Sequence, residues 1–297
     1  MNNKSLRSDM LLFITAAIWG SAFVAQIMGM KSTGPFIFNG IRFMIGAVFL
    51  IPFVKLFSGN KKEKISCTNV ISGIITGTIL FAGATFQQVG IISTTAGNAG
   101  FITGLYVLIV PVIALFMGFK PEFNHIIGII FAFTGMYLLS IPAGSSFTEI
   151  NKGDLLVFSG AFFWALHVVV IGKFSPGQNP ILLSIIQFLT CSILSLAAAV
   201  IFEQNTIYGI LQAKYSLLYS GLISVGIAYT LQVIAQKNAP PTHAVIILTL
   251  EGVFAAIAGW LVLDETFTVR QFSGSVLMFS GMIMSQIRLF KLKKLKS

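Results

Sequence analysis

The chain has 297 residues, of which 56% are hydrophobic and 9% charged, with a formal net charge of +10 and a mean hydropathy of +0.90. A soluble domain carries about 25% charged residues, so a water-facing exterior is excluded, and the short connections between apolar segments leave no room for a separate soluble enzyme domain. Lys and Arg sit at segment ends instead of forming an interleaved basic face, which excludes nucleic acid as a partner and makes the lipid bilayer the solvent.

Segments of roughly 20 apolar residues suffice to cross ~30 Å of hydrocarbon as helices. In chain order they fall at 10 to 29, 35 to 56, 69 to 92, 96 to 118, 123 to 142, 154 to 174, 180 to 202, 210 to 236, 241 to 263 and 268 to 289. The first follows Lys4 and Arg7 and exceeds a signal-peptide core, so it is read as a retained span. The pattern predicts an all-α integral membrane protein of ten transmembrane helices. With the N-terminus inside, fourteen of the 19 basic residues face the cytoplasm, against Lys31, Lys152, Lys214 and Arg270 outside and Arg42 within a span. That asymmetry predicts a cytoplasmic (inner) membrane location with both termini cytoplasmic. Arg288, Lys291, Lys293, Lys294 and Lys296 form a basic tail suited to anionic lipid. Cys67 and Cys191 have no paired spacing and no His cluster beside them, so neither a disulfide framework nor a metal site is expected.

The bulkier connection, 143–153, divides the chain into a first five-helix repeat (1–142) and a second (154–289), with the basic tail at 290–297. A shift of 145 residues superimposes Asp9 on Asp154, Trp19 on Trp164, Phe43 on Phe188, Gln87 on Gln232 and Leu105 on Leu250. One further residue of shift matches Gly128 and Gly135 to Gly274 and Gly281. One shift holding across several spans, Trp and Gln included, marks an internal repeat. An odd number of helices per half turns the second copy over, giving two inverted five-helix repeats, the pseudo-symmetry that alternating access uses.

Several stretches carry a resemblance to a known family: AAIWGSAFV (Ala16 to Val24), NGIRF (Asn39 to Phe43), TTAGNAGFITGLYVLIVP (Thr94 to Pro111), WALHVVV (Trp164 to Val170) and LTLEGVFAAIAGWLVLDE (Leu248 to Glu265). Together they resemble the drug/metabolite transporter superfamily and, within it, the EamA-type ten-helix transporters, over nearly the whole chain. The resemblance implies a polytopic carrier without cofactor, often exporting amino acids or related metabolites, with a cavity between the halves. The sequence departs from the family at Gly252, where Pro usually follows the Glu, which removes a fixed kink.

An ionisable group inside a span costs roughly 2.5 to 3.5 kcal/mol on insertion scales and should face a partner or a wet cavity. Glu251, near the middle of its span, is placed to hold a substrate ammonium or exchange a proton, or else to hydrogen-bond a neighbouring helix. Arg42 has a planar fork suited to a substrate carboxylate, with snorkelling or carbonyl binding as the structural alternative. Trp19 and Trp164, repeat-related and mid-span, suit opposite cavity walls that stack on a substrate or attract its cation, or plain packing. His167, one turn from Trp164, is a second candidate for proton coupling beside Glu251, against a neutral hydrogen-bonding role. Gln87, Gln232, Asn98, Tyr106 and Tyr229 complete a candidate polar lining, or bridge helices. Gly73 with Gly77 and Gly100 with Gly104 have spacings that allow close helix approach, within one monomer or in a homodimer. Pro111 frees a backbone carbonyl inside the fourth span and favours bending there.

No phosphate-binding loop appears, so the leading expectation is a secondary transporter that moves a small amino acid or amine-bearing solute by alternating access, with export favoured by the resemblance and protons as candidate coupling ion. Two other classes stay open: a sensor or scaffold without transport, and an intramembrane enzyme, for which no HExxH, GxSxG or membrane Asp beside Glu251 is found.

Overall fold

A computed structural model describes residues 3–58, 66–115, 123–141, 151–204, 206–238 and 241–286. The basic tail, Lys61, Lys62, Lys64, Lys120 and connection residues 143–150 lie outside them. Among the described residues every regular element is helical. The first half comprises α1 (Asn3–Met30), α2 (Pro35–Ser58), α3 (Cys67–Gly90) with a 3-10 turn at Ile91–Ser93, α4 (Ala96–Gly104), α5 (Tyr106–Leu115) and α6 (Phe123–Ser140). The second comprises α7 (Lys152–Phe174), α8 (Pro180–Phe202), α9 (Ile207–Gln212), α10 (Lys214–Leu218), a π-helical stretch (Tyr219–Tyr229), α11 (Thr230–Gln236), α12 (Pro241–Leu248), α13 (Leu250–Leu263) and α14 (Val269–Gln286).

Among the described residues, seven segments are long and apolar enough to cross a membrane: Leu6–Met30, Pro35–Val54, Cys67–Ser93, Lys152–Phe174, Pro180–Phe202, Lys214–Gln236 and Ala244–Leu263. Ala96–Val110 and Ile126–Ser140 are shorter apolar helices. Helix starts follow local chemistry. Asn151 accepts a hydrogen bond from the Gly153 amide at the start of α7, and Asn179 with Pro180 opens α8. Ser66 and Asn69 form a reciprocal capping box on α3.

The fifth segments of the two halves, α6 and α14, pack directly together. A Cβ on Gly135 would lie 2.6 Å from the Gly274 carbonyl oxygen, and one on Gly281 would lie 2.6 Å from that of Gly128. The earlier residue of one helix thus meets the later residue of the other, so these repeat-related helices run antiparallel. Gly73 and Gly77 abut Ile186 and Thr190 of α8, while Gly100 abuts Ala255 of α13, so both close-approach spacings are used inside the monomer.

Both halves are interrupted at matching places. The helix breaks at Leu105 between α4 and α5 and at Thr249 between α12 and α13, one residue from Leu250, the repeat mate of Leu105. Each break is tightened by short-range bonds: Leu105 N–H to Ile102 O at 3.1 Å and Gly252 N–H to Thr249 O at 3.2 Å. Pro111 lies within α5, so the interruption falls six residues before it. The break at Thr249 also persists without a Pro at position 252. Gly252 instead allows α13 to press on α4, where a Cβ would sit 3.1 Å from Phe101 Cα.

Candidate functional site

The two breaks deliver Tyr106 and Glu251, themselves 145 residues apart and hence repeat mates, to one cavity between the halves. Around them α1 contributes Trp19, Phe23 and Gln26, α2 Arg42 and α3 Gln87. Thr103 of α4, Trp164, His167 and Val168 of α7, Ser224 and Tyr229 of the π-helical stretch and Gln232 of α11 close it. About 30 Å³ of the cavity is open to the centres of water molecules, room for no more than a few waters.

An aromatic cluster forms one part of the wall. The Tyr229 ring stands 4.6 Å from Trp19 and 6.1 Å from Trp164, centroid to centroid. His167 meets both Trp164 and Tyr229 edge-on at 6.2 Å. Its Nε2 lies 3.0 Å from Gln187 Oε1, so the imidazole donates to the amide that is the repeat mate of Arg42.

A chain of amides supports this wall. The Trp164 indole N–H donates to Gln87 Oε1 at 2.9 Å, Gln87 Nε2 donates to Gln26 Oε1 at 3.2 Å, and Gln26 Nε2 donates to Ala22 O at 3.1 Å. The repeat-related pair behaves differently. Trp19 donates to the Ser224 carbonyl at 3.4 Å, and neither amide atom of Gln232 has a hydrogen-bond partner.

The two charges of the cavity are also incompletely matched. Arg42 is 3% exposed, its guanidinium lying 5.0 Å from the Phe43 ring centroid and 5.8 Å from that of Phe38, and its Nε has no hydrogen-bond partner. Among the described residues, the polar groups that act on it are the Tyr229 phenol and the Cys191 thiol. Glu251 is 3% exposed, with the Tyr106 phenol as its hydrogen-bonding neighbour, although neither Glu251 Oε1 nor the Tyr106 hydroxyl has a partner at full hydrogen-bond geometry. Burying such atoms without partners costs several kcal/mol in order of magnitude.

Every candidate residue of the sequence reading lines this cavity except Asn98. Asn98 sits in the first turn of α4, ~7 to 12 Å along the helix from Thr103 and Tyr106 at 1.5 Å per residue. Gln26, Thr103 and Ser224 were not anticipated, because their repeat positions hold the apolar residues Ile171, Leu248 and Ile79. The seven-residue spacing of Trp19 and Gln26, two helical turns, is the signal that points to Gln26.

Comparison with known proteins settles the family. The profile of the EamA-like transporter family matches residues 6–141 and again residues 151–286. The chain belongs to the EamA-like transporter family. An uncharacterized transporter of Archaeoglobus fulgidus is 34% identical over 291 residues, covering 96% of this chain and 87% of the relative. The uncharacterized transporter YoaV of Bacillus subtilis is 26% identical over 275 residues, covering 90% and 92%. The chloroplastic WAT1-related protein At3g02690 of Arabidopsis thaliana is 25% identical over 268 residues, covering 86% and 64%. A protein of known crystal structure shares the fold with a TM-score of 0.69 at 19% identity, covering 94% of this chain and 96% of its own.

The EamA-family chain is therefore a multi-span membrane protein with the family domain present twice. At one end of its bundle, polar contacts cross between the two copies. Glu265 accepts the Ala96 and Gly97 amides at 2.7 and 3.1 Å, and Glu203 accepts those of Phe36 and Ile37 at 2.7 and 2.9 Å. Asn151 donates to the Ser93 carbonyl at 2.7 Å, and Asp154 is hydrogen-bonded to the Thr94 hydroxyl.

Proposed function

We propose that this EamA-family chain is a secondary transporter that carries a small solute bearing both an ammonium and a carboxylate group across the cytoplasmic membrane, in the export direction. The observation that carries the reading is the set of unpartnered atoms on one cavity: Glu251 Oε1, Arg42 Nε and both amide atoms of Gln232. Glu251 receives the ammonium, Arg42 the carboxylate through its planar fork, and Trp19, Trp164 and Tyr229 surround the remainder. Glu251 and His167 are the groups through which a proton could be exchanged during the cycle.

The reading includes ten spans arranged as two inverted five-helix repeats, with both termini cytoplasmic. The antiparallel packing of α6 and α14 through Gly135 with Gly274 and Gly128 with Gly281 supports the inversion, since repeat mates that run antiparallel are what an overturned second copy produces. The cavity has about 30 Å³ open to water centres, room for a few waters, and entry of a solute larger than these goes with helix movement. The interruptions at Leu105 and Thr249, which flank Tyr106 and Glu251, are the natural hinges, as broken helices at mid-membrane are in other carriers.

The test is thermal unfolding of the purified protein across amino acids, amines, organic acids and nucleosides, repeated with Glu251→Gln. A solute that carries both charges is expected to raise the melting temperature of the wild type and to lose that effect in the variant. Equal stabilisation of both proteins contradicts the assignment of Glu251.

A further inference from the structure

Asp154 is the buried carboxylate that the transport reading leaves unused. It is 0% exposed and lies in the first turn of α7. Three oxygen-bearing side chains surround it: Thr94 from the turn before α4, Asn98 from α4 and Ser140 from the end of α6. The Thr94 hydroxyl is hydrogen-bonded to Oδ1. Asp154 Oδ2, Asn98 Oδ1 and Ser140 Oγ have no hydrogen-bond partner, and Asn98 and Ser140 are only 6% and 8% exposed.

The amino end of α7 favours negative charge, and Ser140, Thr94 and Asn98 are the hydrogen-bonding neighbours of the carboxylate, Thr94 being the one within bonding distance; among the described residues, no basic side chain is one of the groups acting on it. A buried carboxylate in that position needs a positive charge or a proton. We propose that Thr94, Asn98, Ser140 and Asp154 form a binding site for a sodium-like monovalent cation.

Three features favour this occupant. The donor set is oxygen throughout, with no imidazole or thiolate, which suits a hard cation and disfavours a transition metal. A single carboxylate neutralises one positive charge, whereas a divalent ion would leave an uncompensated charge in a buried place. The oxygens come from both copies of the family domain, Thr94, Asn98 and Ser140 from the first and Asp154 from the second. A cation held by all four draws α4 and α6 toward α7 at the end where Glu265 already caps α4. Its consequence for transport, that cation binding favours closure of this end and couples solute movement to a cation gradient, rests on the carrier reading. The site itself does not.

The experiment is thermal unfolding of the purified full chain at fixed pH and ionic strength, exchanging choline chloride for sodium chloride or potassium chloride. Sodium is expected to raise the melting temperature saturably, choline to have no effect, and Asp154→Asn to abolish the response. Ser140→Ala keeps the carboxylate and removes one oxygen, and is expected to raise the sodium midpoint by a factor of about 10 or more. An identical response to sodium and choline, or a sodium response that survives Asp154→Asn, overturns the proposal. So does a melting temperature that follows pH with no sodium dependence, which makes the occupant a proton. If Asp154→Asn does not fold, Ser140→Ala and Asn98→Ala decide, and an unchanged sodium midpoint in both overturns it. Because the readout is stability, an absence of solute flux bears on the carrier reading and leaves this result standing.

Discussion

The indole N–H of Trp164 is bonded to Gln87 Oε1 at 2.9 Å, while the repeat mates Trp19 and Gln232 make no such bond, Trp19 donating instead to Ser224 O. In a carrier built from inverted copies, the two halves exchange conformations between its end states. On the proposed carrier reading, a Trp19 to Gln232 bond is therefore the expected counterpart of the Trp164 to Gln87 bond in the opposite state.

The two glutamines accordingly differ in what their loss removes. Gln87→Ala strands the Trp164 N–H and the Gln26 carbonyl and is expected to cost about 1 to 3 kcal/mol of stability. Gln232→Ala removes an amide with no partner in the protein and is expected to cost less than about 1 kcal/mol while weakening solute binding. Unfolding curves of the two variants with and without solute check the ordering.

Arg42 faces two aromatic rings, and among the described residues no carboxylate is one of the groups acting on it. Arg42→Lys keeps the charge and loses the planar fork and the ring stacking, so it is expected to lower affinity for carboxylate-bearing solutes at least tenfold, a loss of about 1.4 kcal/mol, while leaving binding of amines without a carboxylate unchanged. Titration of thermal shifts with paired amino acids and their decarboxylated amines makes the comparison.

Glycine at position 252 lets α13 lie close against the α4 backbone. Gly252→Ala places a methyl 3.1 Å from Phe101 Cα, and overpacking of this kind costs about 1 to 3 kcal/mol. Because the contact lies three residues beyond the break at Thr249, the variant is expected to slow flux more than it weakens binding. Flux rates and binding midpoints measured on one preparation separate the two effects.

Glu265 accepts two amides at the start of α4, where a carboxylate both caps the helix and opposes its dipole. Glu265→Gln retains one acceptor and loses the charge. An expected loss of about 0.5 to 2 kcal/mol is read from the melting temperature, and a larger effect than that of Lys214→Gln, whose ammonium sits over the exposed Tyr215 ring, marks it as specific.

What the sequence disclosed tracks how rare or how repeated a residue type is. Glu251 and Arg42 stand out because charge is scarce in apolar spans, and Trp19 with Trp164 and Gln87 with Gln232 stand out because one shift aligns them. Gln26, Thr103 and Ser224 are neutral and opposed by apolar residues in the other copy, so neither signal reached them. Asp154 is visible as a repeat marker, but its hydrogen-bonding neighbours Ser140, Thr94 and Asn98 reach it through tertiary contacts that no local pattern encodes. Asn98 was drawn into the solute cavity by its polarity, whereas helix rise carries it to this second cluster. The π-helical stretch Tyr219–Tyr229, which aims Ser224 and Tyr229 at the cavity, has no local signature either. Pro111 marks a place for bending in the sequence, whereas the interruption at Leu105 has no proline to announce it.

The central claim, that unpartnered groups between the two copies hold a solute that the protein then moves, is tested most directly by counterflow in liposomes. Vesicles loaded with a solute that stabilises the purified protein are expected to accumulate labelled solute from outside with the wild type, and to lose this exchange with Glu251→Gln or Arg42→Gln. Accumulation that persists unchanged in both variants, or a stabilising solute that never crosses with the wild type, would contradict it.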